Sequence, residues 1–413
     1  MALVNRLQIT AAMLAICSLA FSAGSQARPY AGVSGLAASA DSATAAGTNP
    51  AGIARFNEPA MRGELVLVQS ESEWEGRLGD GGREVTSDDS TTIVVPSGYM
   101  VRPINEDFTF GFTILGFGIS DDFDDWPGRY FIESYESISI SAYPSIAYRI
   151  NDRWSVAGSL ALTYASFTQE RAVANVLDTG FGDGSSELET DGLDVGFGLS
   201  TLYELTDRTR IGLAYNSEID PTQDGKAKFR GLGPNTEMAL EKSGFLGADV
   251  EVKSTSPQSL LGGIYHEFEN DHSLVVDLAW ADFSNFELSE YYFDGEQLSA
   301  NEATWQDIWA VTAAYTWPVS DRWMLSAGGM YVSSMVEDDD RIFMLRMDEM
   351  WGLGFAGEWQ WTEDRAVEVN FSYMTIGDAP IESPSVPLLG PVTGEYTQRD
   401  IFILRVALNW GAL

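Results

Sequence analysis

The stretch "WGLGFAGEWQW", Trp351 to Trp361, reads with a period of two. Trp351, Leu353, Phe355, Trp359 and Trp361 share one face; Gly352, Gly354, Ala356, Glu358 and Gln360 share the other. That is a β-strand with one greasy side and one small or polar side. The split recurs in "VEVNFSY", where Val367, Val369, Phe371 and Tyr373 oppose Glu368, Asn370 and Ser372. It recurs in "IFILRVALNW" (Phe402, Leu404, Val406, Leu408 and Trp410 outward) and in "WSVAGSLALTY" (Trp154, Val156, Leu160, Leu162 and Tyr164). A soluble sandwich also alternates. Three features favour lipid instead: many strands approach the roughly ten residues that cross a bilayer at a tilt, large aromatics gather near strand ends, and short turns alternate with long loops.

The short turns are "INEDF" at 104–108, "INDRW" at 150–154, "LTDRT" at 205–209, "ENDHS" at 269–273, "VSDRW" at 319–323 and "TEDRA" at 362–366. Asn, Asp, Ser and Thr favour such reversals because their side chains bond the nearby backbone. With both termini on the side of the six short turns, the chain has seven loops on the other side and fourteen strands. The expected strands are 62–73, 91–103, 107–118, 136–149, 153–167, 191–205, 208–218, 256–268, 272–283, 305–317, 322–334, 349–361, 365–376 and 396–410. The fold class is therefore all-β, a transmembrane antiparallel β-barrel, with its longest outer loops near 168–190 and 219–255. Closure pairs every strand edge, which hydrocarbon requires. The barrel is expected to act as a monomer among outer-membrane lipids.

The ends and the composition agree. Arg6, the apolar run "LQITAAMLAICSLAF" and the small residues "SQA" form a secretory signal over 1–27, with cleavage after Ala27. Cys17, the only cysteine, lies inside it, so no disulfide is expected. No later segment has 18 uninterrupted apolar residues, the length of a spanning helix. The net charge of −37 excludes nucleic acid as a partner, because phosphates would be repelled. No His/Cys metal set and no phosphate loop in a strand-to-helix context occurs, so neither cofactor nor metal is expected. Only His266 and His272 could serve a hydrolase, and both fall beside a short turn, so no catalytic residue is assigned. The acidic runs "SDDFDDW" and "EDDDR" could bind Ca²⁺ through their oxygens, but they lack EF-hand spacing and read first as solvated loops.

Residues 28–60 are different: small, nearly uncharged and built around one Asn-Pro turn. Ala37 to Ala46 can form a slim helix, and Asn49 can cap a second with Pro50 at its first position. So narrow a unit suits the inside of a fourteen-stranded bore, which would leak if left open. The run "GLAASADSATAAGTNPAGIARF", Gly35 to Phe56, placed after a signal and before fourteen strands, resembles the FadL-type outer-membrane transporters of long-chain fatty acids and hydrocarbons. The matching positions are Asp41, Asn49, Pro50, Ala51 and Gly52. The resemblance implies an outer-membrane protein, a plug at 28–60 inside a barrel at 61–413, and passive uptake of long-chain fatty acids or similar hydrophobic molecules. It also implies capture near the outer loops, rearrangement of the plug, and exit through the wall near the third strand.

The residues suit that route. Pro96 in the second strand and Pro144 in the fourth flank the third, which carries Gly111, Gly116 and Gly118. Proline removes a ladder donor and marks a bulge or break, so these five form the expected lateral opening. Trp126, Tyr130, Phe131 and Phe245 offer apolar loop groups for capture, and Arg129 or Lys242 could meet a carboxylate. Asp277, Glu368 and Arg405 face inward and are expected to form one lumenal network. The alternatives are an aromatic-hydrocarbon channel of the same family, or a polar porin or surface adhesin.

Overall fold

A computed structural model describes residues 30–411, apart from 33, 80–81, 123–128, 131–132, 221, 254–255, 286–289, 299–304, 338–347, 378 and 387–389. The signal at 1–27, Trp126, Phe131, the acidic side chains of "SDDFDDW" and most of "EDDDR" lie outside the described residues.

Strands make the wall. In chain order they are β1 (Ala60–Leu78), β2 (Arg83–Pro103), β3 (Phe108–Asp122), β4 (Ser134–Asn151), β5 (Trp154–Val173), β6 (Gly184–Thr206) and β7 (Thr209–Asn216). There follow β8 (Thr222–Arg230), β9 (Asp249–Lys253), β10 (Ser259–Glu267), β11 (Ser273–Ala281), β12 (Glu290–Phe293) and β13 (Glu296–Leu298). The last are β14 (Ile308–Ser320), β15 (Trp323–Val332), β16 (Met350–Thr362), β17 (Arg365–Ile376), β18 (Ala379–Val386) and β19 (Gly390–Trp410). Setting aside the short β8, β9, β12, β13 and β18, fourteen antiparallel strands close into a barrel. The closing pair is β1 with β19, from Met61↔Trp410 to Leu78↔Val392.

The short-turn chemistry is visible at one rim. Asn105 Oδ1 accepts from the Asp107 and Phe108 amides at 3.0 and 2.9 Å, and Asn151 Oδ1 from the Arg153 amide at 2.9 Å. Thr206 Oγ1 accepts from the Arg208 amide at 3.2 Å. These side chains supply the acceptors that a two-residue reversal leaves missing.

The strands are longer than expected on the opposite side. β6 has 23 residues and β5 has 20. At about 3.3 Å per residue they project well beyond any hydrocarbon layer. The expected outer loop 168–190 is therefore mostly strand, and only residues 174–183 turn. The expected loop 219–255 contains β8, the helix α2 (Pro234–Lys242) and β9. Period two persisted into polar sequence there, and polar strands read as loop.

Facing follows the alternation. On β16, Trp351, Leu353, Phe355 and Trp361 are 55, 64, 63 and 55% exposed, while Gly352, Gly354, Ala356 and Glu358 are buried inward. Aromatic pairs ring the outside at two levels. Near the short turns lie Phe108–Tyr148 and Trp323–Trp359; towards the long loops lie Trp280–Trp309, Tyr331–Trp351 and Tyr373–Phe402. Trp351 and Trp361 are ten residues apart, about 33 Å along the strand and about 25 Å along the axis at a tilt near 40°, the height of the apolar band of such barrels. Among the described residues no helix is long and apolar enough to cross a membrane.

Placing a charge in the middle of that band should destabilise the barrel. Phe355→Arg is expected to cost about 2–4 kcal/mol, whereas the same charge at the rim, Thr362→Arg, should cost about 0–1 kcal/mol. Guanidinium unfolding in lipid vesicles reads the difference.

Candidate functional site

The segment from Tyr30 to Phe56 lies inside the cylinder, and nearly all of it is buried. It crosses the bore. At one wall the Ala31 amide donates to Ser326 Oγ at 3.0 Å, and Asn370 Nδ2 donates to the Tyr30 carbonyl at 2.9 Å. Midway, the Asp277 carboxylate on β11 accepts the Gly35, Leu36 and Ala37 amides at 2.6, 3.0 and 3.2 Å. Arg210 on β7 stacks on the Tyr265 ring at 3.8 Å, donates to the carbonyls of Ala38 and Ser39, and lies 3.9 Å from Asp41. At the far wall the segment packs on β2 to β6, with Ala46, Ala51 and Ile53 fully buried beside Tyr99, Val101, Ala147 and Leu202.

Small residues are required on both sides of this contact. A Cβ on Gly212 would overlap the Ala37 carbonyl, and one on Gly354 would overlap the backbone of Gly32. The wall is thinned to backbone where the segment's own backbone meets it. The five motif positions sit at the centre. Asn49 Nδ2 donates to the Ala37 carbonyl at 2.6 Å and to the Thr201 carbonyl at 3.1 Å. Its Oδ1 accepts the Ala51 amide, capping a 3₁₀ turn over Pro50–Arg55 that begins with proline. Ser200 and Ser155 take the Ala51 amide and carbonyl at 3.0 and 2.8 Å. Gly52 passes Ala40 so closely that a Cβ would lie 2.6 Å from the alanine methyl. The expected helix over Ala37 to Ala46 does not form. Only α1 (Ala45–Thr48) is helical, because Asn49 and Arg210 take the Ala37, Ala38 and Ser39 carbonyls that a helix would pair internally and Ala40 sits at φ 48°, outside helical geometry.

Towards the long loops the lumen becomes apolar. Val66 and Val68 on β1, Ile93 and Val95 on β2, Ile308 on β14, Met350 on β16, Met374 on β17 and Ile403 on β19 join Phe283, Trp305 and Met335 in one buried column. A second cluster in the outer structure contains Phe167, Val250, Val252 and Phe293, with Phe245 edge-on to Phe293 at 5.0 Å. Tyr135 packs against both clusters and connects them. Sequence reasoning missed the column. Its signal was available on the inward face of β17, which runs Glu368, Asn370, Ser372 and then Met374, turning apolar outward.

The column reaches an interruption in the wall. Pairing of β2 with β3 runs from Pro103↔Thr109 to Ser97↔Leu115, omits Pro96 and Val95, and recurs only at Val94↔Gly118. Beyond Val94, β2 continues to Arg83 paired with β1 alone among the described residues. Proline has no N–H for the ladder, and its Cγ lies 3.0 Å from where a Cβ on Gly116 would stand. Ile93, Val95 and Phe117 line the gap from the column. Pro96, Gly116 and Gly118 thus belong to the break. Pro144 does not: it omits rungs between β4 and β5, where Ala142↔Leu162 is followed by Ser145↔Ser159. Gly111 does not either, since it admits Ile53 and Ala46 of the inner segment.

Of the capture residues, Phe245 joins the outer cluster. Tyr130 and Arg129 are committed to Asp183, at 2.8 and 2.5 Å, so Arg129 is not poised for a ligand. Lys242 is exposed at the end of α2. The expected single lumenal network divides in two. Glu368 pairs with Arg62 at 3.1 Å, beside Glu64 and Asn409, near the short-turn rim. Asp277 serves the inner segment, while Arg405 is buried on β19 opposite Asn370. His266 bonds Thr209 and His272 bonds Tyr315 at that rim. The two outer loops are joined by Asp178, whose carboxylate accepts the Asn235 and Thr236 amides at the start of α2 at 3.0 and 2.8 Å. Burial alone would raise this carboxyl; the hydrogen bonds from Asn235 and Thr236 outweigh it and hold it below the usual aspartate range.

A family described as outer membrane protein transport protein (OMPP1/FadL/TodX) matches residues 7–403. The long-chain fatty acid transport protein of Escherichia coli O6:H1 is 26% identical over 387 residues, covering 86% of this chain and 85% of that protein. A FadL homologue of Pseudomonas aeruginosa superposes with a TM-score of 0.77 at 19% identity, over 89% of this chain and 94% of its own. The Pseudomonas putida toluene transporter TodX superposes at 0.69 with 16% identity, over 94% and 99%. At these identities the two structures speak to the fold.

Two outcomes follow from the geometry. Asp277→Ala removes three charge-assisted hydrogen bonds, of about 1.5–3 kcal/mol each in isolation. It should leave the barrel folded but raise and destabilise its ion conductance in planar bilayers, with Asp277→Asn intermediate. The depressed carboxyl of Asp178 stabilises α2 fully above the unfolded aspartate range near about pH 4, and that contribution is lost as pH falls through the folded value. A spin label at exposed Met238 should therefore stay ordered at neutral pH, loosen on acidification below that range, and be loose at all pH values in Asp178→Ala.

Proposed function

The chain belongs to the outer membrane protein transport family (OMPP1/FadL/TodX), outer-membrane transporters of hydrophobic molecules rather than enzymes, and we propose that its cargo is a long-chain fatty acid. The molecule is captured among the outer aromatics around Phe245 and Phe293, passes Tyr135 into the apolar column, and leaves sideways into lipid between β2 and β3. The segment at 28–60 is the plug that closes the bore below, held by Asp277, Arg210 and Asn49. The barrel works as a monomer.

One observation carries this reading: the apolar column ends at the interrupted β2–β3 pairing and not at the periplasmic rim. An alkyl chain gains about 0.8 kcal/mol per methylene moved out of water, so contact over about eight carbons supplies about 6 kcal/mol. Transfer from the column to membrane lipid then exchanges one apolar medium for another. No energy source is needed, and water in the periplasm is avoided. The lumen below is different, with a buried charged cluster at Arg62, Glu64 and Glu368, which an alkyl chain would have to desolvate.

A second reading, an aromatic hydrocarbon as cargo, has the aromatic part of the column in its favour: Phe283, Trp305 and Phe117. Parallel uptake of radiolabelled oleate and toluene, with and without the gene, separates the two. The route is tested by Val95→Cys with Phe117→Cys, opposed across the gap in a chain whose only native cysteine is Cys17. Oxidation should abolish uptake and reduction restore it. Full uptake with the disulfide formed would rule out the lateral exit.

A further inference from the structure

The periplasmic mouth contains a cavity of 190 Å³ that the route above does not use. One wall is the end of the inner segment, at Ala54 and Arg55. The other is the β4–β5 hairpin, with Arg149, Arg153 and Trp154; Leu202 and Glu204 of β6 close the side. Three arginines line this volume in a chain with 24 Lys and Arg against 61 Asp and Glu. Their commitments differ. Arg55 pairs with Glu204 at 2.9 Å, and Arg149 donates to the Ala54 carbonyl. The Arg153 guanidinium has no hydrogen bond or ion pair among the described residues. Asp152 at the rim is the second carboxylate of the lining, so cations exceed anions by one. Asn57 and Asn151 add further polar groups.

We propose that this cavity binds a single oxyanion, the carboxylate or phosphate head of a small amphiphile or the free ion, between Arg55 on the inner segment and Arg149 and Arg153 on the wall. The planar fork of arginine matches two oxygens of either group. The volume has room for a head group and a few carbons. Buried Leu202 offers those carbons an apolar side. Because one wall is the inner segment and the other the barrel, an anion here joins the two and holds the segment's end in place. The site does not depend on what crosses the lumen.

The test uses the full chain purified in detergent. Equilibrium dialysis measures binding of radiolabelled inorganic phosphate and of octanoate, and native mass spectrometry measures retained lysophosphatidylethanolamine. At least one probe should bind saturably below millimolar concentration. The tightest probe identifies the source: phosphate a free ion, octanoate a free acid, the lysolipid a membrane head group. Arg149→Gln with Arg153→Gln should weaken binding at least tenfold, while Arg322→Gln, at another short turn, should leave it unchanged. If the double variant fails to fold by heat-modifiability on gels, Arg153→Gln alone, which removes no internal contact, should still weaken it at least threefold. No saturable binding of any probe, or equal binding by the folded variants, overturns the proposal.

Discussion

Hydrocarbon offers no partner to a peptide N–H or C=O, so every such group within the membrane must find one in the protein. This constraint makes the wall a closed sheet and makes any gap in it expensive. The interruption between β2 and β3 is built to limit that expense. Proline has no donor to leave unpaired, so Pro96 breaks the ladder with one fewer orphan than any other residue would. Gly116, opposite, accepts the proline ring. The outer stretch of β2 keeps its full pairing with β1, so only one edge of each strand is released.

A similar constraint shapes the lumen. A bore this wide must be filled, yet a conventional core of large side chains would leave no path. The N-terminal segment fills it with backbone. Its alanines and glycines bring peptide groups against the wall, and the wall supplies side chains to bond them: Asp277 for three amides, Arg210 for two carbonyls, Asn370 for another. Polar contact of this kind is strong when made and easily replaced by water when broken. It orders the segment without a jigsaw of leucines.

Much of the wall was legible in the sequence. Period-two alternation fixed the facing of β16 and β19, and six Asx- and Ser-containing turns fixed the strand count, because both signals are local. What was not legible was non-local. The inner segment's alanines read as a helix, since nothing in "GLAASADSA" says that Arg210, some 170 residues later, takes its carbonyls. Arg129 read as a free cation because Asp183, its partner, is distant in sequence. Pro144 and Pro96 look alike in the chain; only the neighbouring strand shows that one interrupts a pairing beside an apolar column and the other does not.

The segment that fills the bore is made before any strand that grips it. Its contacts are with β2 to β7, β10, β11 and β14 to β17, while the cylinder closes where β19 pairs with β1, the first strand made. The segment is tethered at Ala60 to one strand of the closing seam, so the cylinder shuts beside the attachment point of its own filling.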